Sequence, residues 1–262
     1  MQARALHHDL IVVVSGVWQT TCTLVRSGAE GFVIDSPVLP DELEALPALA
    51  EQAGFPVSGL LCTHADWDHL LGRLAFGDAS LGVGVASAER LASEPGAAQR
   101  ALREFDDEHY VARARPLALG GIQSLPVPGS LSLGEPGAAA EIELYGAGGH
   151  TADGTAFLLP WLEVLICGDY LSPVEIPVLS PGGSAAAYLE TLARLASLVD
   201  RTSTVIPGHG DPAGRHDASR TLEQDAAYLE ALVHDGDAPL PEGRRSPAQR
   251  RIHAANLAAL AG

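Results

Sequence analysis

Short apolar runs that end in histidine or aspartate recur along this chain, and they constrain its fold more than any other feature. The run Val57–Cys62 leads into Thr63-His64-Ala65-Asp66-Trp67-Asp68-His69, which places four imidazoles or carboxylates within six residues. Three later apolar runs lead in the same way to His150, Asp169 and His209. A loop anchored at the end of a buried strand holds short polar side chains rigidly and can turn them toward one point. The chain is therefore expected to form a sheet core with a polar cluster at one edge.

The rest of the sequence predicts two halves of similar build, each with strands followed by helices. Short β-rich runs between polar or glycine breaks predict strands over Leu10–Val14, Thr21–Arg26, Gly31–Ile34, Val57–Cys62, 82–86, Ile122–Val127, Glu141–Tyr145, Thr155–Leu159, Leu162–Cys167 and Thr204–Ile206. Helical start and stop signals predict helices over Pro40–Gln52, from Leu70 onward, and over 87–115, Ala185–Val199, 217–233 and 246–261. We expect the first three strands to pair antiparallel in sequence order.

The domain organisation follows from the lack of any linker-like stretch in the sequence. A single domain over 1–262, made of two sheets faced by helices, is the economical interpretation. The segment 87–115 is predicted to be a helical insertion that forms a lid or pocket wall near the site.

The net charge of −17, from 16 basic and 33 acidic residues, argues against nucleic acid or an anionic membrane as a partner. A small-molecule substrate is expected instead, and the sequence sets no oligomeric state. The three cysteines form no Cys-x-x-Cys pair, which predicts packed thiols in a reducing compartment. No charged start leads into a long apolar segment, so we expect a soluble, cytoplasmic protein.

The polar residues after the predicted strands are of the types that bind metal ions. A single Gly-His pair is usually a surface turn. Here Gly149-His150-Thr151, Gly168-Asp169 and Pro207-Gly208-His209-Gly210 follow the string at 64–69, each after a predicted strand. A glycine beside a ligand lets the backbone approach a crowded site. The combined pattern therefore predicts a metal centre with far more specificity than any one motif.

In this combination the sequence resembles the metallo-β-lactamase-fold superfamily, which includes β-lactamases, glyoxalase II-type thioesterases and lactonases. The family pattern is Thr-His-x-His-x-Asp-His, then a histidine in Gly-His-Thr, an aspartate after glycine, and a histidine in Pro-Gly-His-Gly. The matching positions are Thr63, His64, Asp68, His69, Gly149-His150-Thr151, Gly168-Asp169 and Pro207-Gly208-His209-Gly210. The resemblance covers about residues 10–235, and it includes Asp35 at the end of an early predicted strand.

The resemblance implies an α+β fold, a four-layer αββα sandwich with its site at one edge between the sheets. It also implies two divalent metal ions, with zinc expected first. The implied ligands form two groups and a bridge, which are His64, Asp66 and His150 for one ion, Asp68, His69 and His209 for the other, and Asp169 between them. Asp35 would orient one of these ligands.

Asp66 departs from the family pattern, which has histidine at this position. A carboxylate is shorter, harder and anionic, so Mn or Fe are alternatives to zinc. Two other interpretations are possible for Asp66. In one, the first site is vacant and a single metal ion works; in the other, Asp66 binds no metal and only supports a ligand. Some superfamily members, including the hydrolase domain of DNA-uptake competence proteins, are similar at this string, so the substitution does not predict an inactive protein.

The resemblance implies a hydrolase in which a metal-activated water attacks a small ester, thioester or lactone, with Asp68 orienting the nucleophile. A phosphodiesterase or nuclease is the second interpretation, favoured by Asp66 and disfavoured by the net charge. A β-lactamase is the third, and oxygen chemistry like that of flavodiiron proteins is a fourth. Trp18, Tyr170 and His109 lie near these motifs, and the sequence assigns them no role.

Overall fold

Two sheets form the centre of the protein in a computed structural model that describes residues 1–134 and 140–261. Within these ranges, one sheet has seven strands in chain order, β1 (Gln2–His7), β2 (Leu10–Val14), β3 (Thr21–Ser27), β4 (Glu30–Asp35), β5 (Gly59–Cys62), β6 (Leu81–Gly84) and β7 (Ile122–Leu125). The other has six, also in chain order, β8 (Gly129–Leu133), β9 (Ala140–Gly146), β10 (Thr155–Leu159), β11 (Val164–Ile166), β12 (Thr204–Ile206) and β13 (Ala213–Gly214).

Helices cover the outer face of each sheet. In the described ranges they are α1 (Pro40–Gln52), α2 (Gly72–Ala75), α3 (Val85–Ser93), α4 (Ala97–His109), α5 (Ala185–Val199), α6 (Arg215–Asp235) and α7 (Pro247–Ala261). Short 3₁₀ turns at Trp67–His69 and Pro160–Leu162 complete the regular structure of these ranges. Within the same part of the chain, no helix combines the length and apolar character needed to cross a bilayer.

The central strands, such as β2, β5, β10 and β11, are apolar on both sides because the middle of each sheet is covered on both faces. In β2, Leu10 and Val12 pack between the two sheets, whereas Ile11 and Val13 pack against the helices that include α1 and α4. In β10, Phe157 packs between the sheets while its neighbours face the core beneath α5 and α6. The period of two along each strand thus generates three apolar layers, and the four-layer αββα sandwich predicted from the sequence is confirmed.

Parallel pairing places the ends of several strands at one edge of the molecule. β4 pairs parallel with β5, and β11 pairs parallel with β12. The carboxyl ends of parallel strands meet at the same edge, so the residues that follow them converge there. Strand pairing therefore brings together the loops after β4 and β5 in one sheet, and those after β11 and β12 in the other.

The sequence predictions hold for most elements and fail at some of their ends. β2, β3 and β4 pair antiparallel in sequence order, as predicted. The strand predicted over 82–86 ends at Gly84 because Val85 begins α3. In the segment 87–115, helix ends at His109, where Tyr110 adopts a left-handed conformation, and residues 111–115 are not helical. The single domain predicted over 1–262 stays a prediction, and residues 135–139 and 262 of it lie outside the described ranges.

Three strands escaped the sequence patterns because they are short or lie at the edges of sheets. β1 is exposed along its whole length, so no apolar face marks it as a strand. β8 and β13 are short or rich in serine and glycine. The three cysteines are buried free thiols, as expected.

We expect Phe157→Ala to lower the free energy of unfolding by about 3–5 kcal/mol, because it leaves a cavity between the sheets. Phe157 has no exposed surface. Urea denaturation measures the change, with Leu6→Ala on exposed β1 as a control expected to cost less than about 0.5 kcal/mol. Similar losses in both variants would contradict this packing.

Candidate metal centre

The seven residues predicted as ligands meet at the edge where the strand ends converge. His64, Asp66, Asp68 and His69 lie on the loop and 3₁₀ turn after β5. His150 lies between β9 and β10, and the loops after β11 and β12 carry Asp169 and His209. The sequence spacing alone could not establish this convergence, since these residues are separated by up to 145 positions.

The first group consists of His64, Asp66 and His150. Oδ2 of Asp66 lies 3.6 Å from Nε2 of His64 and 3.4 Å from Nε2 of His150. One potential ligand atom from each residue lies within 4.8 Å of the other two. Asp66 therefore occupies the place that the resemblance gives it, beside both histidines.

The second group consists of Asp68, His69 and His209. Oδ2 of Asp68 lies 3.6 Å from Nε2 of His69 and 3.6 Å from Nε2 of His209. These ligand atoms also lie within 4.8 Å of one another. The structure thus gathers two sets of three potential ligands next to each other.

Asp169 joins the two groups. Its Oδ2 lies 3.2 Å from Nε2 of His150, 3.3 Å from that of His209 and 3.7 Å from that of His64. Its Oδ1 lies 3.2 Å from Nε2 of His69. One carboxylate therefore faces four imidazoles, two from each group.

Two of the imidazoles have a hydrogen-bond partner at their other nitrogen, and a third has a carboxylate close to it. Nδ1 of His150 lies 2.9 Å from the carbonyl oxygen of Val178, and Nδ1 of His209 lies 3.2 Å from that of Trp18. Nδ1 of His69 lies 3.2 Å from Oδ2 of Asp35. Contacts of this kind fix the ring and leave Nε2 directed at the metal in metalloproteins.

Asp35 also holds the loop that carries the first string. The backbone N–H of Thr63 donates to Oδ1 of Asp35 at 2.8 Å, and its hydroxyl donates to Oδ2 at 2.9 Å. Asp35 itself has a φ of 59°, which is rare for a residue with a side chain and occurs mostly where surrounding contacts enforce it. These contacts agree with the orienting role expected for Asp35.

The donor set fits divalent metal ions. Among the described residues, Nε2 of His64, His69 and His150 and Oδ1 of Asp169 are buried without a hydrogen-bond partner. Buried polar atoms in proteins nearly always have a hydrogen-bond partner or a metal ion. Four such atoms without a hydrogen-bond partner at one point therefore indicate a place for a cation. Imidazole nitrogens with carboxylate oxygens are the ligands that zinc and other transition metals take.

The histidines and carboxylates of the cluster shift one another's pKa values. Burial lowers the pKa of His150 and His209, but Asp169 and its neighbours outweigh burial and raise these pKa values to about 9 and about 10. Burial raises the pKa of Asp169, yet the nearby histidines hold it well below its usual value. Without a metal ion, protons on the imidazoles would balance the carboxylates.

Two glycines are required by close approach rather than by turn formation. A Cβ on Gly208 would lie 2.1 Å from Oδ1 of Asp169. Gly149 has a φ of +132°, and a Cβ there would lie 2.3 Å from the backbone of Tyr188. Glycine beside His150 and His209 therefore lets the ligand loops pack against each other.

Tyr170 and Trp18, which have no role assigned from the sequence, occupy defined positions next to the cluster. Tyr170 is buried, and its hydroxyl donates to the carbonyl of Ala147 and accepts from the backbone N–H of His150, so it supports the His150 loop. Trp18 is 45% exposed and packs edge-on against Trp67 at 5.6 Å between ring centroids.

The aromatic cluster at the site extends into α4. Trp18 and Trp67 both contact Phe105 of α4, at 5.2 and 4.9 Å between ring centroids. Phe105 stacks on His109 at 4.3 Å. The helical segment predicted near the site therefore forms an aromatic wall beside the string at 64–69.

Sequence reasoning missed three charged residues around the cluster. Arg90 of α3 contacts Asp66, and Asp153 contacts Arg90. Burial and the charges of Asp169 and Asp68 raise the pKa of Glu175, against the opposite effect of His209. Asp153 stands three residues after His150. This proximity in the sequence is the only signal that could have indicated any of the three charged residues.

The loop that contacts His150 is braced by the C-terminal part of the chain. The backbone N–H of Leu179 donates to the side-chain oxygen of Asn256 at 2.9 Å, and Asn256 donates to the carbonyl of Pro177 at 2.7 Å. Gln249 accepts from the backbone N–H of Ile176 at 2.8 Å. Helix α7 thereby fixes the backbone on either side of the Val178 carbonyl that orients His150.

A two-sheet sandwich with clustered imidazoles and carboxylates at one edge defines a class of metal-dependent hydrolases. The chain belongs to the metallo-β-lactamase superfamily, whose family model matches residues 15–209. The resemblance found in the sequence is thereby confirmed, and the fold supports an enzyme of this class.

Solved structures share the fold at low sequence identity. A metallo-β-lactamase family protein from Thermus thermophilus is 21% identical, with a TM-score of 0.69 and coverage of 98% of this chain and 93% of that one. TTHA1623, solved in a di-iron-bound form, is 25% identical, with a TM-score of 0.63 and coverage of 80% and 97%. The inverting sec-alkylsulfatase Pisa1 from Pseudomonas sp. is 17% identical, with a TM-score of 0.67 and coverage of 89% and 42%. No curated protein matches the sequence.

We expect the stability of metal-free protein to fall as the pH rises from 6.5 to about 10. A histidine whose pKa is raised by folding stabilises the fold below its unfolded pKa, and this contribution is lost as the pH passes the folded value. Urea denaturation in the presence of a chelator measures the free energy of unfolding across this range. The same series with saturating zinc is the control and should fall less, because the cation replaces the protons. Chelated protein that gains stability with rising pH would contradict the prediction.

Proposed function

We propose that the protein is a hydrolase with two divalent metal ions, in which Asp169 is the bridging ligand. The contact of Asp169 with four imidazoles is the observation that carries this proposal. The proposed ligands of the two ions are His64, Asp66 and His150 for the first, and Asp68, His69 and His209 for the second. Zinc is the metal proposed first. Mn and Fe are alternatives because of Asp66, and iron is the metal named for TTHA1623.

The residues of the chain divide the work of hydrolysis. When bound, a pair of divalent cations lowers the pKa of a shared water and polarises the oxygen of the scissile group. Asp68 is the proposed catalytic residue, because its carboxylate faces His69 and His209 and can accept a proton from the attacking water and orient it. The ligand nitrogens of His64, His69 and His150 are buried, so bulk water has little access to these positions of the site.

The proposed substrate is a small ester, thioester or lactone. The net charge of −17 supports a small molecule over a nucleic acid. Trp18, which is 45% exposed and packs against Trp67, provides apolar surface for an acyl group beside the metal ligands. The three buried free thiols support the cytoplasm as the compartment.

A phosphodiesterase is the second candidate, and the carboxylate at position 66 is the observation that favours it. Elemental analysis of the purified protein, together with a screen of esters, thioesters, lactones, nitrocefin and bis-p-nitrophenyl phosphate, separates the candidates. We expect two metal equivalents and turnover of a carboxylic ester, thioester or lactone. Turnover of the phosphodiester alone with Mn would favour the second candidate, and hydrolysis of nitrocefin would favour a β-lactamase.

We expect Asp68→Asn to lower kcat/KM by about 10²- to 10⁴-fold, because the amide cannot accept the proton of the attacking water. Steady-state kinetics on the best substrate of the screen measure the effect, with metal content determined in parallel. Asp107→Asn, which changes an exposed carboxylate on α4, is the matched control and should keep full activity. Unchanged kcat/KM in Asp68→Asn would refute the catalytic role.

A further inference from the structure

Arg90 reaches the loop of the proposed metal centre from outside, on helix α3. Its Nη2 lies 2.8 Å from Oδ1 of Asp66, and its Nη1 lies 2.8 Å from Oδ1 of Asp153. Glu94, the residue that follows the end of α3, has a carboxylate oxygen 3.9 Å from Nε of Arg90. The two ends of the guanidinium fork therefore hold two different carboxylates, a geometry that suits arginine and not lysine.

Asp153 anchors Arg90 to the same loop. Its side chain is buried, and its Oδ2 accepts a hydrogen bond from the backbone N–H of Ala65 at 2.9 Å. The hydroxyl of Ser87 donates to its carbonyl oxygen at 2.9 Å, which ties α3 to this point. Arg90 is thus held in place before it contacts Asp66, so it is not a mobile surface ion pair.

The two oxygens of Asp66 are divided between two partners. Oδ1 faces Arg90, whereas Oδ2 faces Nε2 of His64 and of His150. A carboxylate can rotate and can bind a metal through one oxygen or two, whereas the histidine of the family pattern presents one nitrogen. With Oδ1 occupied, Asp66 presents a single oxygen in the direction of the first group.

The positive charge of Arg90, taken alone, is unfavourable next to a cation site. A guanidinium this close to bound divalent cations repels them, so its charge by itself weakens metal binding. Its position is favourable for the metal only if the ordering of Asp66 outweighs that repulsion. The two effects have opposite signs, which makes them separable by experiment.

We infer that Arg90, anchored by Asp153, is the positioning residue that makes Asp66 a one-oxygen ligand of the first metal. This inference rests on the proposed two-metal centre and is independent of the substrate. It assigns a reason to the departure from the family pattern, because the carboxylate at position 66 and the arginine at position 90 form one unit.

Zinc binding to metal-free protein tests the inference. Bound zinc is counted by elemental analysis, and affinity is measured by competition with a chromogenic chelator, in wild type, Arg90→Gln, Arg90→Lys and the control Arg100→Gln. Arg100 is exposed on α4, and among the described residues its side chain donates only to the carbonyl of Pro95. We expect Arg90→Gln to weaken one of two zinc equivalents about 10- to 100-fold, the usual effect of losing a group that orients a ligand. Arg100→Gln should bind as wild type does.

Arg90→Lys keeps the charge and loses the fork, so it should also weaken zinc binding. It serves as the test if thermal melting shows that Arg90→Gln does not fold. In an Asp66→His background Arg90 keeps its contact with Asp153 but has no carboxylate at position 66 to orient, so toward the metal only its repulsion remains and adding Arg90→Gln should strengthen zinc binding. This reversal of sign is the signature of positioning.

The outcomes that overturn the inference are distinct from failure of the proposed function. Two tight zinc equivalents in wild type and in Arg90→Gln alike would overturn the inference only. A loss of the same size whether Arg90→Gln is made in wild type or in the Asp66→His variant would also overturn it, since it would indicate a general structural role. Wild-type protein that takes up no zinc, manganese or iron would overturn the proposed function itself.

Discussion

The contact of one largely buried carboxylate with four imidazoles is the interaction on which the site depends. An ionised carboxylate is costly to bury unless charges or hydrogen bonds compensate it, and Asp169 has four histidine nitrogens between 3.2 and 3.7 Å away. These histidines come from three separate loops. Asp169 and its partners therefore draw together segments of both sheets, and the loss of any one partner would leave the others poorly compensated.

The sheets provide the framework that makes this contact possible. Parallel pairing of β4 with β5 brings the loops that follow them to one edge of their sheet, and pairing of β11 with β12 does the same in the other sheet. The loops are then joined across the sheets, since the backbone N–H of Thr21 donates to the carbonyl of Gly208 at 2.8 Å and Thr20 bridges to His209. Apolar packing on both faces holds the central strands in place. The polar groups at the ends of these strands are therefore rigidly supported.

Local patterns predicted two sheets faced by helices and polar motifs after the strands, and the family resemblance then implied the αββα sandwich and the seven residues that meet at its edge. Strand period, glycine beside histidine, and position after an apolar run can all be read from neighbouring residues. Arg90, Asp153 and Glu175 could not be found in this way, since their roles arise from contacts between elements distant in the chain. Exposed β1 was missed for a similar reason, as only its pairing with β2 makes it a strand. The metal-binding roles themselves stay predictions.

The brace on the His150 loop extends the working unit beyond the segment that the family model matches. All seven proposed ligands lie within residues 15–209, yet Gln249 and Asn256, which fix the backbone around Val178, lie well past the end of that segment. Removing the last helix would leave every ligand present in the polypeptide while releasing the carbonyl that steers one of them. The length of chain needed to orient His150 is thus set by the partners of a single peptide group and not by the distribution of the sequence motifs.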